Sequence, residues 1–194
     1  DTLVQDAINV AIAKGVPVGG TSAGLAVLAQ YNFSALNDTI KSADALENPF
    51  DPRVTIGRDF LHIPHLQGKI TDSHFVARDR MGRLLVFLAR IAKDGGPAAP
   101  YGIGIDEKTA VLMQSDGTAN VVGRGAAYFV HATTPASRCS PKTPLTFRDL
   151  SVYRVRAGTG QFNLTAWSGI GGAAYQLSAE NGVLKSTLPG NQIY

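Results

Sequence analysis

The chain has 194 residues, of which 44% are hydrophobic and 17% charged, and its formal net charge is +3. This length fits one domain with a sizeable core, and the composition excludes a disordered chain. No apolar run approaches the roughly 20 residues that span a bilayer, and so small and dispersed a charge argues against a membrane surface or a nucleic acid as the partner.

The first predicted element is a helix that opens at Thr2. Thr2 and Gln5 fit a capping box, apolar residues follow at helical spacing, and Lys14-Gly15 ends the pattern. A domain rarely begins with a helix whose apolar face has no preceding element to pack against. We therefore expect residues 1–194 to be the C-terminal part of a larger catalytic domain, with its N-terminal segment missing or present as a separate fragment of the same precursor after cleavage near Asp1.

The next predicted elements come from hydrophobic patterning. Residues 16–18 read as a short strand and 23–29 as a helix, whereas 31–59 are polar and typical of a long surface excursion. Residues 60–72 read as a strand or paired strands. A helix with one apolar face is predicted over 78–93, ended by Asp-Gly-Gly-Pro.

Beyond residue 97, apolar residues recur at every second position, and this alternation predicts strands within 101–131 and over 151–157. The Gly- and Ser-rich stretch 157–182 has little periodicity and stays unassigned. Helices between early strands, followed by a run of hairpins, predict an α/β sheet with an antiparallel extension.

A nucleophile elbow is the first candidate for chemistry. Gly20-Thr21-Ser22-Ala23-Gly24 satisfies G-x-S-x-G and lies between a predicted strand and a predicted helix. Such a turn brings backbone segments close together and leaves the serine exposed at the end of the sheet. The alternative is a glycine-rich corner with an idle serine.

A nucleophilic serine needs a base, and His74 is the preferred candidate. His62 and His65 lie in an alternating apolar run typical of packing or surface residues, whereas His74 lies where a strand meets a helix. Three arginines follow it closely: Arg78, Arg80 and Arg83. Guanidinium groups bind carboxylates, so the cluster predicts an acidic substrate group; a solvated basic helix start is the alternative.

The base also needs a carboxylate to orient it. Asp106 and Glu107 end a glycine-rich predicted strand, and either could hold the imidazole. A polar hairpin turn explains the pair equally well.

The single cysteine and three sequons carry less information. Cys139 excludes a disulfide within the chain and a cysteine-based zinc site, although pairing with another chain stays open. Asn32, Asn37 and Asn163 each begin an N-x-[ST] triplet, which raises glycosylation and secretion as one option.

Three ordered segments resemble the cyanophycinase branch of serine peptidase family S51: GVPVGGTSAGLAV, TDSHFVARDRMGRL and GIGIDEKTAVL. The resemblance implies a three-layer flavodoxin-like sheet, as in class I glutamine amidotransferases. It also implies a serine hydrolase that cleaves amide bonds at aspartyl or β-aspartyl (isoaspartyl) residues, exopeptidase-like, through an acyl-enzyme and without metal or organic cofactor.

The family roles carry over by position. Ser22 would be the nucleophile, His74 the base and Glu107 its orienting carboxylate, and the N–H of Ala23 would donate to the oxyanion. The implied pocket residues are Asp72, Ser73, Arg78, Arg80 and Arg83. A second copy of the chain is a further candidate partner.

Two departures from the family matter. Ser73 stands where cyanophycinases carry a glutamine that contacts substrate, which puts cyanophycin itself in doubt. The Gly-Gly-Asp-Gln segment that supplies the second oxyanion donor is absent from this sequence.

Two other functions stay open. An α/β-hydrolase esterase has the order Ser, Asp/Glu, His and would use His131 with, for example, Asp106. An inactive binding or assembly subunit would need none of these roles. A glutamine amidotransferase is disfavoured because Cys139 lies on no elbow.

Overall fold

A computed structural model describes residues 2–194, which form four helices, twelve strands and one 3₁₀ turn. The helices are α1 (Leu3–Ala13), α2 (Ala23–Ala26), α3 (Ser42–Glu47) and α4 (Met81–Lys93), and the 3₁₀ turn is Pro189–Asn191. The strands are β1 (Tyr31–Phe33), β2 (Ile56–Arg58), β3 (Lys69–Asp72), β4 (Tyr101–Ile105), β5 (Thr109–Met113), β6 (Thr118–Gly123), β7 (Ala126–His131), β8 (Phe147–Arg156), β9 (Gln161–Asn163), β10 (Ser168–Ile170), β11 (Ala173–Glu180) and β12 (Val183–Ser186). Asp1, near which the precursor cleavage is predicted, lies outside the described residues.

The central layer is an eight-stranded mixed sheet in the order β12-β11-β8-β7-β4-β3-β1-β2. Strands β1, β3 and β4 are parallel, and the other neighbouring pairs are antiparallel. A second, antiparallel sheet has the order β10-β9-β6-β5. The predicted α/β class is confirmed, and the helix-flanked mixed sheet is compatible with a flavodoxin-like or glutamine amidotransferase-like fold.

Two cores cover the two faces of the large sheet. The α3 and α4 helices pack on one face, where Tyr128 and Val130 of β7 contribute. The second sheet packs on the other face, where the alternate residues Ala127 and Phe129 contribute. Phe129 stacks on Phe162 of β9 with ring centroids 3.8 Å apart. The period-two alternation of β7 therefore assigns its side chains to opposite layers.

Several predicted boundaries differ from the structure. Residues 16–18 pair with no strand among residues 2–194, and the helix after the elbow ends at Ala26 rather than at Ala29. The stretch 31–59 contains β1, α3 and β2. Residues 60–66 form no strand, because Leu61, Ile63 and Leu66 serve instead as core contacts of a loop.

The C-terminal third supplies strands that the sequence left unassigned. Residues 157–182 contain β9, β10 and β11, so the Gly-rich stretch joins the two sheets. None of the helices within residues 2–194 is long and apolar enough to cross a bilayer.

Candidate active site

The elbow holds Ser22 in a conformation that few residues other than glycine adopt. Its backbone has φ 54° and ψ −117°, and the side chain is exposed at the start of α2. A serine at a helix start ordinarily caps the helix, but this hydroxyl makes no capping bond. Such strain persists only where the surroundings enforce it. The hydroxyl is therefore left for another partner.

Gly20 is the residue that allows this turn. A Cβ at position 20 would lie 2.1 Å from the carbonyl oxygen of Gly24, whereas a Cβ at position 24 would meet nothing within 4 Å. The predicted close approach is thus correct for the first glycine of the motif. The second glycine does not need its missing side chain for space.

His74 reaches the elbow from the loop after β3. Its Nε2 lies 3.0 Å from Ser22 Oγ, and its Nδ1 lies 2.7 Å from Glu107 Oε1. An ionised carboxylate only accepts hydrogen bonds, so Nδ1–H donates to Glu107 and Nε2 accepts from the serine hydroxyl. This is the arrangement of nucleophile, base and orienting carboxylate found in serine hydrolase triads.

Hydrogen bonds from β3 and from the His74 loop hold His74 close to the elbow and to the end of β4. Thr71 of β3 donates its hydroxyl hydrogen bond to the carbonyl of Leu25 in α2 over 2.7 Å. His74 itself has φ 49°, and the next residue, Phe75, is fully buried and donates its N–H to the carbonyl of Ile105. The His74 loop is therefore held against both the elbow and the end of β4.

The structure distinguishes the two adjacent carboxylates that the sequence left open. Asp106 accepts from the N–H groups of Val76 and Ala126, at 3.1 and 2.9 Å, and does not point to the imidazole. Burial raises the pKa of Asp106, and these two bonds offset part of that rise. The hydrogen bond from His74 holds the pKa of Glu107 below its ordinary value of 4.5. Of these two carboxylates, Glu107 alone contacts His74.

The predicted pocket residues divide into two groups. Arg83 forms a bidentate pair with Asp72, at 2.7 and 2.6 Å, and both side chains are buried. Arg80 bonds to the same carboxylate and to Ser73. These charges are satisfied inside the protein, contrary to the expectation that they line an open pocket. Arg78 is exposed, and its charge contributes to lowering the pKa of Glu107.

Ala23 lies directly after the serine, at the position predicted for an oxyanion donor. Its N–H has no acceptor among residues 2–194, whereas the next two N–H groups bond to Thr21 and Ser22. It is therefore available to an incoming oxygen.

The alternative esterase triad is not assembled. His131 stacks on Tyr101, with ring centroids 4.2 Å apart, at the start of β4. Asp106 follows the other end of that strand, about 13 Å or more away along the backbone. Of the remaining histidines, His65 lies between the carbonyl of Ser115 and the hydroxyl of Thr165.

The chain is similar to cyanophycinases. It is 31% identical to the cyanophycinase of Trichormus variabilis over 165 residues, which cover 81% of this chain and 49% of the relative. The enzyme of Geminocystis herdmanii is 30% identical over 158 residues, covering 79% and 52% respectively. That of Synechococcus elongatus is 33% identical over 115 residues, covering 58% and 30%. No protein-family model matches.

These similarities support the predicted cyanophycinase-like relationship. The chain spans about half the length of the first two relatives. Membership of family S51, the catalytic roles and the N-terminal fragment stay predictions.

Burial disfavours the predicted glycosylation at Asn32. Asn32 is buried in β1 beside Gly57, so its amide nitrogen is not accessible in the folded chain. Asn163 is half-buried and uses its side-chain oxygen to accept from the N–H groups of Thr165 and Ala166. Asn37 is exposed. Cys139 is buried, which disfavours pairing with another chain in the folded state.

Proposed function

We propose that the chain is the catalytic part of a cyanophycinase-like serine hydrolase that cleaves amide bonds at aspartyl or β-aspartyl residues. The observation that carries the proposal is the continuous hydrogen-bonded series Ser22, His74 and Glu107. Its members lie 52 and 33 residues apart in the chain. Three distant segments that deliver a nucleophile, a base and an orienting carboxylate to one point support hydrolysis through a triad.

The proposed reaction has two stages. His74 takes the Oγ proton as Ser22 attacks the amide carbonyl, and the Ala23 N–H donates to the oxyanion. The C–N bond then breaks as His74 returns the proton to the leaving amine. A water molecule, deprotonated by His74, attacks the acyl carbonyl carbon. The bond from that carbon to Ser22 Oγ then breaks as His74 returns the proton to Oγ. Glu107 stays ionised and stabilises the imidazolium that forms in each stage.

Arg78 is the proposed anchor for the substrate carboxylate. It is exposed on the loop that carries His74, and it lies close enough to Glu107 to lower the pKa of that carboxyl. Arg80 and Arg83 are engaged with Asp72 and are less suited to this role. An exposed guanidinium beside the triad favours a substrate with a free carboxylate next to the scissile amide.

The triad is tested with Ser22→Ala and His74→Ala, made separately and assayed on β-aspartyl dipeptides. We expect each variant to lose at least about 1,000-fold in kcat, because the residues act as one unit. A fluorophosphonate probe should label the natural protein and not Ser22→Ala. Unchanged hydrolysis in either variant would remove the mechanism. A natural protein that neither hydrolyses nor reacts would support the inactive subunit instead.

The substrate class is tested with Arg78→Gln, with Arg58→Gln as the matched control. Arg58 is an exposed arginine on β2, an edge strand of the large sheet that is separated from β3 by β1. Losing one charge-assisted hydrogen bond should raise KM for β-aspartyl dipeptides about 10- to 100-fold, with little change in kcat. An equal KM in both variants would contradict the anchoring role.

We also propose that a further polypeptide segment of the same precursor covers the surface formed by α1 and residues 16–18. Leu3, Val4 and Val10 are 88%, 67% and 53% exposed on α1, and Val16 and Val18 are half-exposed. The backbone of residues 16–18 pairs with no strand within residues 2–194. An apolar patch beside unpaired backbone favours a covering strand and helix. That segment would also supply the second oxyanion donor.

This partner is tested by intact mass and activity of the purified protein. A single 194-residue species with full activity would overturn it. Val10→Glu should release a bound segment and lower activity, whereas Leu112→Glu, on the exposed face of β5, should do neither. The two variants add the same charge at apolar positions of 53% and 55% exposure.

A further inference from the structure

Two hydroxyl groups from distant parts of the chain hold one residue of the base loop, which we define as residues 73–80. Tyr194 Oη–H donates to Asp79 Oδ1 over 2.8 Å. Ser42 Oγ–H donates to the main-chain carbonyl of the same aspartate. Asp79 has φ 46°, a left-handed conformation that its surroundings must maintain. Two hydrogen bonds from separate parts of the chain therefore hold the base loop at Asp79.

The same phenol also serves the start of α4. Tyr194 Oη accepts from the N–H of Met81, the first residue of that helix, over 3.0 Å. The N-cap residue Arg80 makes no side-chain capping bond, and the first turn has no acidic residue. An unpaired N–H at a helix start needs an acceptor. Tyr194, which lies 113 residues away in sequence, supplies it.

The contact extends from Asp79 to the base. The Tyr194 ring lies edge-on to Phe75, with centroids 5.9 Å apart and planes at 90°. Phe75 follows His74 and is fully buried. Within the loop, the carbonyl of His74 accepts from Arg78 N–H and the carbonyl of Phe75 accepts from Arg80 N–H. These bonds make the loop one compact unit, so a shift at Asp79 moves the imidazole.

We propose that Tyr194 is a positioning residue for His74, acting through its hydrogen bond to Asp79. The proposal rests on the proposed function, since it assigns Tyr194 to the activation of Ser22. Through this bond, the phenol holds the base loop in the position where His74 Nε2 reaches the serine hydroxyl and His74 Nδ1 reaches Glu107. No motif in the sequence marks this residue, and only the fold brings it beside the loop.

The test removes the hydroxyl and keeps the ring. Tyr194→Phe removes two hydrogen bonds, the one donated to Asp79 and the one accepted from the Met81 N–H. We expect the loss of the bond to Asp79 to lower kcat about two- to tenfold. The rate at which a fluorophosphonate labels Ser22 should fall by the same factor, because labelling depends on activation of the serine and not on substrate fit. Wild-type labelling and turnover in this variant would overturn the proposal.

Tyr153→Phe is the matched control. Tyr153 also accepts a backbone N–H, that of Gly172, but lies away from the base loop on the seam with the second sheet. We expect its labelling rate to match that of the natural protein. An equal loss of labelling in both phenylalanine variants would mean a general structural effect and would overturn the proposal.

Substitutions at Asp79 keep the test decisive if Tyr194→Phe does not fold. Asp79→Asn retains an oxygen that accepts from the phenol and should label Ser22 nearly as fast as the natural protein. Asp79→Gly removes the acceptor and tolerates the left-handed φ of 46°, and it should label Ser22 about two- to tenfold more slowly. Where Tyr194→Phe folds, its double variant with Asp79→Gly should be no worse than Tyr194→Phe alone. Additive losses, or equal rates for the asparagine and glycine variants, would contradict the shared bond.

Failure of this proposal is distinguishable from failure of the proposed function. If Ser22→Ala keeps full activity, the triad itself is wrong. If Ser22→Ala is inactive and Tyr194→Phe is unimpaired, the triad stands and only the positioning role is wrong.

Discussion

The elbow gives the sharpest prediction, because its two glycines look equivalent in the motif and differ in the structure. In Gly20→Ala the new methyl would lie 2.1 Å from the carbonyl oxygen of Gly24, 2.3 Å from its carbonyl carbon and 2.8 Å from the nitrogen of Leu25. All three atoms belong to the backbone, so no side-chain rotation relieves the clash. A carbon–oxygen contact needs about 3.3 Å. The turn must therefore open by about 1 Å.

That displacement acts directly on the site. The Ser22 Oγ to His74 Nε2 distance is 3.0 Å, and a shift of about 1 Å takes it beyond hydrogen-bond range. We expect kcat/KM for a β-aspartyl dipeptide to fall about 100-fold. The strain should also lower the free energy of unfolding by about 1–3 kcal/mol, measured by urea denaturation.

Gly24→Ala is the control with the same chemical change. Its methyl would meet nothing within 4 Å, so no strain is expected. Alanine in a helix is favoured over glycine by about 0.5–1 kcal/mol, and activity should stay within about twofold of the natural protein. Wild-type activity in Gly20→Ala, or equal losses in both variants, would refute the steric argument.

Three further predictions concern charged groups. Glu107→Gln keeps an acceptor but loses the charge that stabilises the imidazolium, so kcat should fall at least about 100-fold. Asp106→Asn should instead leave one buried N–H without an acceptor and lower the free energy of unfolding by about 1–3 kcal/mol. Because the hydrogen bond from His74 lowers the pKa of Glu107 from 4.5, the stability that this carboxylate contributes is present above pH 4.5 and is lost as the pH falls through the lowered value. The difference in unfolding free energy between the natural protein and Glu107→Gln should therefore shrink below pH 4.5. Arg83→Met should lower the free energy of unfolding by about 3 kcal/mol, because the buried carboxylate of Asp72 loses one of its positive partners. Arg148→Met breaks an exposed ion pair and should lower the free energy of unfolding by under about 1 kcal/mol.

Each of these has a contradicting result. Equal kcat losses at positions 106 and 107 would remove the distinction between the two carboxylates. A difference in unfolding free energy between the natural protein and Glu107→Gln that stays constant below pH 4.5 would assign the acid response to another group. Equal unfolding free energies for the Arg83 and Arg148 variants would show that the buried pair contributes no more than an exposed one.

Local patterns predicted the parts of the fold that depend on neighbouring residues. The Thr2 hydroxyl accepts from the Gln5 N–H over 3.2 Å, as half of the predicted capping box. The other half does not form, because the Gln5 side chain donates to the carbonyl of Asp59 instead. The strand predicted at 16–18 does not form within residues 2–194. A strand needs a neighbouring strand to pair with, and the residues of the strand alone do not show whether that neighbour is present.

The arginine cluster shows how a distant residue changes the interpretation of a local one. Basic residues at a helix start oppose the helix dipole, and this local cost by itself favours a functional role for the arginines. Asp72, on β3, instead accepts from two of them and removes that cost. Only Arg78 remains exposed. The sequence places Asp106 and Glu107 side by side, but Asp106 follows the end of β4 and Glu107 begins the turn to β5, and their side chains bond to different partners.

The position of the single tryptophan has a practical consequence for all of these measurements. Trp167 lies between β9 and β10 and packs on Tyr101 and Phe129 of the large sheet, with centroids 4.4 and 6.1 Å away. Its emission therefore reports separation of the two sheets, some distance from the elbow. Far-UV circular dichroism follows the whole backbone. If the two signals change at different urea concentrations, the small sheet unfolds independently, and the free energies of the variants must be assigned to each sheet separately.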